Sequence, residues 1–182
     1  MQKLDDKFFL KKAFEAAWNL SQDMNTQTGA VLVTPGGMLF SHGANRMHHG
    51  IPERYEKGNI KKILVGRPEK YDLLVHAERD VIYSAVREGK NSLILNSTLY
   101  ATWSPCKECS ITVINSGVKR FVTHQCTTDW YNEKREATSR KLWDESIETA
   151  ISLLKKCGVE YICLNEPLKG IKILFDDKIQ EI

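Results

Sequence analysis

Two cysteines three residues apart, Cys106 and Cys109, stand directly behind Pro105 in the segment TWSPCKEC. Taken alone, such a pair fits a structural zinc site, a redox centre or simple packing. The upstream segment VHAERD adds His76 and, two residues later, Glu78. Cysteine and histidine are good zinc ligands, and three of them leave the fourth tetrahedral position open for water. The pattern therefore predicts that His76, Cys106 and Cys109 bind Zn²⁺ in a catalytic site.

A carboxylate beside such a metal is suited to acid–base chemistry. Glu78 would accept a proton from the water and later deliver it to a departing amine, which is hydrolytic deamination. A fourth protein ligand would instead make the site structural. Scattered histidines are most often surface or satisfied core residues, but four of them are candidates for that ligand or for a second metal site. They are His42, His48, His49 and His124.

The donor groups can meet only if helices begin close to them. A helical pattern runs over about 76–88 and stops at Gly89, and a second runs over 105–116 and stops at Gly117. Pro105 suits the first turn of the second helix, where its missing N–H costs nothing. Two helix N-termini that converge on a metal bring partial positive charge, which favours thiolates over thiols.

The other elements form a βαβ alternation after an initial hairpin. Apolar spacing at Leu10, Phe14, Ala17 and Trp18 predicts a helix over about 6–20. The strands are predicted at AVLV and MLFSHG, joined by TPGG, and then at 98–102, in VKRFVTH and in VEYICL. A long amphipathic helix that ends at Gly158 is predicted to bury Trp143. Three further cysteines are predicted to be small buried residues, namely Cys126, Cys157 and Cys163.

These elements predict an α/β fold, a three-layer α/β/α sandwich around a mixed five-stranded sheet. Because a helix separates the last two strands, those strands are expected to run parallel. A length of 182 residues fits one domain over 1–182. Apolar periodicity fades over about 46–75, which we interpret as an insertion, and the tail at about 165–182 has no clear pattern.

Composition argues against several classes of protein. No apolar stretch approaches the roughly 18 residues that cross a bilayer, so no membrane is expected as a partner. Five cysteines are an odd number in a core-forming chain, which favours a reducing cytoplasm over a secreted disulfide framework. The net charge of +3 is spread along the chain and does not indicate a surface for nucleic acid.

The motifs HAE at 76–78, PCKEC at 105–109 and the hairpin TGAVLV followed by GAN at 43–45 resemble the cytidine and deoxycytidylate deaminase superfamily. The resemblance covers nearly the whole chain and implies a cytidine-deaminase-like fold with zinc as the cofactor. It also implies substrate contacts. Asn45 would contact the sugar or base, the Ala77 backbone N–H would meet the base carbonyl, and the Ser104 region would contact the amino group.

Four branches of that superfamily act on nucleosides, nucleotides, tRNA adenosine or polynucleotide cytosine. The stretches GRPEKYDLLVHAERDVIYSAVREG and LWDESIETAISLLKKCGVEY resemble deoxycytidylate deaminases. That resemblance implies conversion of dCMP to dUMP and ammonia by a homo-oligomer, a hexamer in similar proteins. A phosphate would need cations or backbone N–H groups. The candidate cations are Arg46, Arg54, Arg67 and Lys70.

Two short segments point towards other branches. WSPC at 103–106 resembles polynucleotide deaminases of the APOBEC/AID type, and GANR at 43–46 resembles tRNA adenosine deaminases. Binding of single strands favours exposed aromatic rings beside a continuous basic groove, whereas the basic segment here holds only Tyr55 and Tyr71. A polynucleotide or tRNA base deaminase, or a non-catalytic zinc scaffold of the same fold, therefore stays an alternative.

Overall fold

The computed structural model describes residues 5–51, 55–56, 59–60, 70–133 and 141–181. The helices in these ranges are α1 (Asp6–Leu20), α2 (Lys70–Leu73), α3 (Ala77–Arg87), α4 (Lys107–Asn115), α5 (Gln125–Glu133) and α6 (Lys141–Lys156). None of these described helices is long and apolar enough to span a membrane.

The strands are β1 (Gly29–Val33), β2 (Leu39–Ala44), β3 (Arg46–Met47), β4 (Tyr55–Glu56), β5 (Asn59–Ile60), β6 (Leu74–Val75), β7 (Thr98–Ala101), β8 (Arg120–His124), β9 (Glu160–Leu164), β10 (Lys172–Phe175) and β11 (Lys178–Glu181). Five of them form the main sheet in the order β2-β1-β7-β8-β9. Strand β1 is antiparallel to β2 and β7, whereas β7, β8 and β9 are parallel. The predicted mixed sheet with its last two strands parallel is confirmed.

Helices cover both faces of the sheet, which explains why β1 is apolar at every position. Ala30 and Leu32 pack in one core with residues of α3, α4 and α6, and Val31 and Val33 pack in a second core with α1. Successive side chains of a strand point to opposite faces, so all five residues of β1 are buried. The predicted three-layer α/β/α sandwich is confirmed.

Strand β2 lies directly on α3, the helix that begins after His76. A Cβ atom at Gly43 would lie 2.7 Å from the backbone oxygen of Ala77 and 2.7 Å from the Cα of Val81. Only glycine permits this approach without moving the backbone. The contact fixes the first turn of α3 against the sheet.

A buried ion pair reinforces the same contact. The Asp80 carboxylate on α3 accepts a hydrogen bond from the Ala44 N–H at 3.0 Å and another from Arg46 Nε at 2.7 Å. Arg46, a predicted phosphate ligand, is thus held by Asp80 and is nearly buried.

Four residues are less buried than the sequence predicts. Trp18, on the apolar face predicted for α1, is 42% exposed near the end of that helix. Cys157 is exposed after the last turn of α6, and Cys126 and Cys163 are only partly buried. In each case the apolar character of the residue was a poor guide because its position at the end of an element or beside an edge strand leaves it uncovered.

The tail forms a hairpin, β10–β11, with Asp176 and Asp177 at the turn. Both have positive φ, 52° and 65°, as a two-residue hairpin turn requires. The turn is attached to the loop after α1: Asn25 Nδ2 donates to Asp177 Oδ1 at 2.6 Å, and the Asp177 N–H donates to the Asn25 backbone oxygen at 2.9 Å. The hairpin therefore packs beside the start of β1.

Within the predicted insertion at 46–75, β3 pairs with β6 and β4 pairs with β5. Helix α2 leads into β6 and so into His76. Two of the predicted phosphate ligands, Arg54 and Arg67, lie outside the described residues.

Candidate metal centre and cavity

Strand pairing brings the predicted site to one end of the sheet. Gly29 pairs with Ala44 and Ala30 pairs with Ala101, so the start of β1 and the ends of β2 and β7 coincide. Residues that follow β2 and β7 therefore lie close together, at the carboxyl ends of the parallel strands where α/β folds place their ligands.

The donor groups stand at the N-termini of two helices. His76 is the N-cap residue of α3 and Cys106 is that of α4, both with extended backbone, and Cys109 lies in the first turn of α4. Neither N-cap side chain makes a capping hydrogen bond, so the imidazole and the thiol are directed at each other instead. The structure thus brings the three predicted ligands together.

Distances between the donor atoms fit a tetrahedral metal. His76 Nδ1 lies 3.6 Å from Cys106 Sγ and 3.4 Å from Cys109 Sγ, and all three atoms lie within 4.8 Å of one another. Zinc bonds of about 2.3 Å to sulfur and about 2.0 Å to nitrogen, at a tetrahedral angle, would separate the two atoms by roughly 3.5 Å. The donor set and its spacing both suit Zn²⁺.

The two thiols differ in acidity. A hydrogen bond from Cys109 lowers the pKa of Cys106 to about 4. The same hydrogen bond, together with burial, raises the pKa of Cys109. Burial lowers the pKa of His76, but the hydrogen bond to Cys106 and the charge of Glu78 outweigh it, so the pKa is raised. Of the two thiols, Cys106 is therefore the more acidic.

Glu78 lies in the first turn of α3 and is buried, 8% exposed. Burial raises the pKa of its carboxyl group, while the positive charge on His76 opposes the rise. Its side chain lines the same cavity as His76 and Cys106. A carboxyl group with a raised pKa beside a metal site is suited to both accepting and donating a proton near neutral pH.

The cavity has a volume of about 480 Å³, within the usual range for small-molecule sites. Its polar wall includes Asp23, Thr26, Thr28, Asn45, Lys70 and Asp176, and its aromatic wall includes Tyr71, Trp103, Tyr131, Trp143 and Phe175. A concave, largely apolar space with a few polar groups is able to hold a flat ring and orient it.

The residues predicted to contact substrate all line this cavity. The Ala77 N–H donates to Asn45 Oδ1 at 3.1 Å, so the two predicted contacts are bonded to each other. The Ser104 hydroxyl lies 2.8 Å from the Tyr161 hydroxyl. Of the four predicted phosphate cations, Lys70 lines the cavity.

Lys70 is itself buried in an ion pair. Its ammonium group donates to both carboxylate oxygens of Asp23, at 2.9 and 2.7 Å, and both residues are 3% exposed. Asp23 also accepts the N–H groups of Asn25 and Thr26. The pair forms a fixed polar corner of the cavity wall.

Sequence reasoning missed the aromatic wall. Trp143, predicted to be a core residue, lines the cavity and stacks on His76, with ring centroids 6.0 Å apart and planes inclined by 27°. Trp103 contacts Trp143 at 6.4 Å and Phe175 at 5.3 Å. An amphipathic pattern identifies an inward-facing residue but cannot distinguish a core from a cavity wall.

Among the described residues, His76, Cys106 and Cys109 are the one group of three or more ligand side chains placed to share a metal. His124 is a satisfied core residue. Its Nδ1 accepts the Cys126 N–H at 3.2 Å, so its Nε2 carries the proton and donates to the Glu166 backbone oxygen at 2.9 Å. This agrees with the interpretation of the scattered histidines.

Residues 3–125 match the family model described as the cytidine and deoxycytidylate deaminase zinc-binding region. The chain belongs to this family. Deoxycytidylate deaminase of Homo sapiens is 30% identical over 159 residues, which cover 84% of this chain and 81% of the human protein. An uncharacterized deaminase from the luxG 3' region of Aliivibrio fischeri is 26% identical over 172 residues, 94% of this chain and 99% of that protein.

Solved structures share the fold. The dCMP deaminase of cyanophage S-TIM5, in complex with dCMP and dUMP, superposes with a TM-score of 0.58 over 87% of this chain and 95% of the phage chain, at 22% identity. The matched zinc-binding region and the His/Cys/Cys group confirm zinc as the cofactor. The expectation of a deaminase enzyme is likewise confirmed.

Proposed function

We propose that this chain hydrolyses dCMP to dUMP and ammonia. The observation that carries the proposal is a tetrahedral His/Cys/Cys donor set with a buried carboxyl group on the wall of one small cavity. Similarity to the human deoxycytidylate deaminase along 84% of the chain supports a cytosine nucleotide as the substrate. One water is consumed and one ammonia released for each base.

In this proposal His76 Nδ1, Cys106 Sγ and Cys109 Sγ hold the metal. Zinc, when bound, would supply a Lewis acid that lowers the pKa of water. Glu78 accepts a proton from the attacking water and passes it to N3 of the cytosine. As the C4–N bond breaks, Glu78 takes the proton of the new C4 hydroxyl group and delivers it to the leaving amine, so its carboxyl group ends each cycle in its starting state.

The base contacts are those that the family resemblance implies, and the hydrogen bonds of the cavity wall are compatible with them. We assign the Ala77 N–H to the base carbonyl, which requires exchange of its present partner Asn45 Oδ1. Asn45 then becomes available to the sugar. We assign Ser104, whose hydroxyl group lies within hydrogen-bond distance of the Tyr161 hydroxyl, to the amino group.

The phosphate contact falls to Lys70 among the described cations, because Arg46 is held by Asp80 on α3. The ammonium group of Lys70 has three N–H donors. Both carboxylate oxygens of Asp23 accept hydrogen bonds from it. Asp23 thereby holds the ammonium group in place. The described wall carries three carboxylates, Asp23, Glu78 and Asp176, against this one cation, which disfavours a polynucleotide strand.

Replacing Lys70 with methionine is expected to reduce kcat/KM for dCMP about 10- to 100-fold relative to deoxycytidine, the usual cost of one hydrogen bond to a charged group. The measurement is the ratio of the two specificity constants. Lys155→Met, at an exposed position of α6, is the matched control and should keep the wild-type ratio. An equal loss of kcat/KM for dCMP and for deoxycytidine would mean that Lys70 supports the fold and does not bind the phosphate.

The substrate itself is tested by ammonia release from cytidine, deoxycytidine, dCMP, dCTP, a 5-substituted dCMP and a single-stranded oligonucleotide. We expect dCMP to be deaminated with the highest kcat/KM of the panel. A higher value for the oligonucleotide would favour the polynucleotide alternative. No ammonia from any of the six by the zinc-loaded protein would favour a non-catalytic scaffold. The cytoplasmic location, the single domain and the homo-oligomer stay predictions.

A further inference from the structure

The first two turns of α6 contact both halves of the metal donor set. Trp143 stacks on the imidazole of His76, the N-cap of α3, with centroids 6.0 Å apart. One turn later, the Ser146 hydroxyl accepts the backbone N–H of Lys107 at 3.0 Å. Lys107 follows Cys106 and is the first residue of α4. One helix thus reaches the two elements that carry the ligands.

These contacts supply two features that α3 and α4 lack, namely a hydrogen-bond acceptor for the first turn of α4 and a restraint on the imidazole of His76. The first N–H groups of a helix have no partner within it, and Cys106 makes no capping hydrogen bond because its thiol faces His76. Ser146 supplies the missing acceptor. The imidazole of His76 can rotate about its side-chain torsions, and a stacked indole restricts that rotation.

Helix α6 is anchored in the hydrophobic core, so it is able to restrain the groups that it contacts. Ala150 and Leu154, farther along the same helix, are completely buried. A direct link between α3 and α4 also exists, from Arg79 Nη1 to Glu108 Oε2 at 3.4 Å, but the Glu108 side chain is 74% exposed. Solvent screens such a pair, so it holds the two helices less well than contacts to a core-anchored helix.

We propose that Trp143 and Ser146 are positioning residues that keep His76 Nδ1 and the two thiols at their tetrahedral spacing. Helix α6 lies beyond residues 3–125, the part matched by the zinc-binding family model. The residues that position the metal donors therefore include some from outside the matched zinc-binding region. This role depends on zinc binding and not on which base the cavity accepts.

The test is the rate at which the zinc-loaded protein transfers its metal to an excess of a chromogenic chelator. Loss of a residue that orients a metal ligand typically costs about 10- to 100-fold in metal affinity, so Trp143→Leu should release zinc roughly 10-fold faster or more. Ser146→Ala should release it about 5-fold faster, as expected for one neutral hydrogen bond. Trp143→Phe keeps a stacked ring and should restore a rate close to that of the wild type.

A second readout is the visible spectrum of the cobalt(II)-substituted protein, which reports the coordination geometry directly. Trp143→Leu should change its band positions and intensity, and Trp143→Phe should not. The matched controls are Trp18→Leu, an exposed tryptophan on α1, and Ser152→Ala, an exposed serine on α6. Both should keep the wild-type release rate and spectrum.

Wild-type zinc release by Trp143→Leu, with only a raised KM for substrate, would make Trp143 a stacking wall for the base and overturn the proposal for that residue. Wild-type release by Ser146→Ala would overturn it for Ser146. If Trp143→Leu does not fold, the other two variants still test the proposal. It requires that Ser146→Ala release zinc faster than the wild type and that Trp143→Phe release it at the wild-type rate.

Discussion

Glu78→Gln is expected to leave zinc bound and to reduce turnover about 10³-fold, within the usual contribution of a general acid–base group. Glutamine has nearly the same shape as glutamate and fills the same buried position at the start of α3. It cannot accept a proton from water or return one to ammonia. The loss should therefore appear in kcat, with KM for substrate changed little.

The measurements are steady-state kinetics and the zinc content of the purified variant. Glu88→Gln, at an exposed glutamate that follows α3, is the matched control and should retain wild-type kcat and zinc. Turnover of Glu78→Gln comparable to that of the wild type would refute the proposed acid–base role. Loss of zinc in that variant would show that the carboxyl group acts through the metal site instead.

Cys106→Ala is expected to lose zinc and, with it, all measurable deamination. The loss of a direct ligand should weaken zinc binding by more than about 100-fold, since loss of an orienting neighbour alone can cost 10- to 100-fold. The variant should also be less stable than the zinc-loaded wild type, because a ligand that binds the folded state raises the free energy of unfolding.

Metal analysis after dialysis and thermal unfolding with and without a chelator check this prediction. The chelator should lower the Tm of the wild type and leave the Tm of Cys106→Ala unchanged. Cys157→Ala removes an exposed cysteine and should behave as the wild type. A full complement of zinc in Cys106→Ala would exclude Cys106 as a ligand.

Local signals in the sequence were enough to predict that His76, Cys106 and Cys109 lie together. His76, Cys106 and Cys109 could be placed because helix starts are marked by short-range features, such as the periodic residues after Pro105. Pro105 itself, predicted in the first turn, stands just before the N-cap residue Cys106. Strand pairing followed from alternation and from the helix between the last strands. These features act over a few residues, and the structure confirms the sheet and the layers they predicted.

The cavity wall was harder to predict because it depends on contacts between distant parts of the chain. Trp143 and Phe175 look like ordinary apolar residues, and nothing near them in sequence indicates the ring that each one faces. Lys70 and Asp23 are 47 residues apart, so their ion pair has no local signature. Helix α5 and the β10–β11 hairpin were not predicted. Cys126 and Trp130 of α5 and Ile173 of β10 lie in the core beside α1, which brings together parts of the chain that are far apart in sequence.

The hairpin β10–β11 sets a practical limit on how short this protein can be made. It carries Phe175 and Asp176 to the cavity and is attached through Asp177 to the loop that precedes β1. A fragment trimmed to the matched region, 3–125, would keep the three metal donors but lack one side of the enclosure around them. Truncations and affinity tags are therefore best designed to leave the β10–β11 hairpin intact.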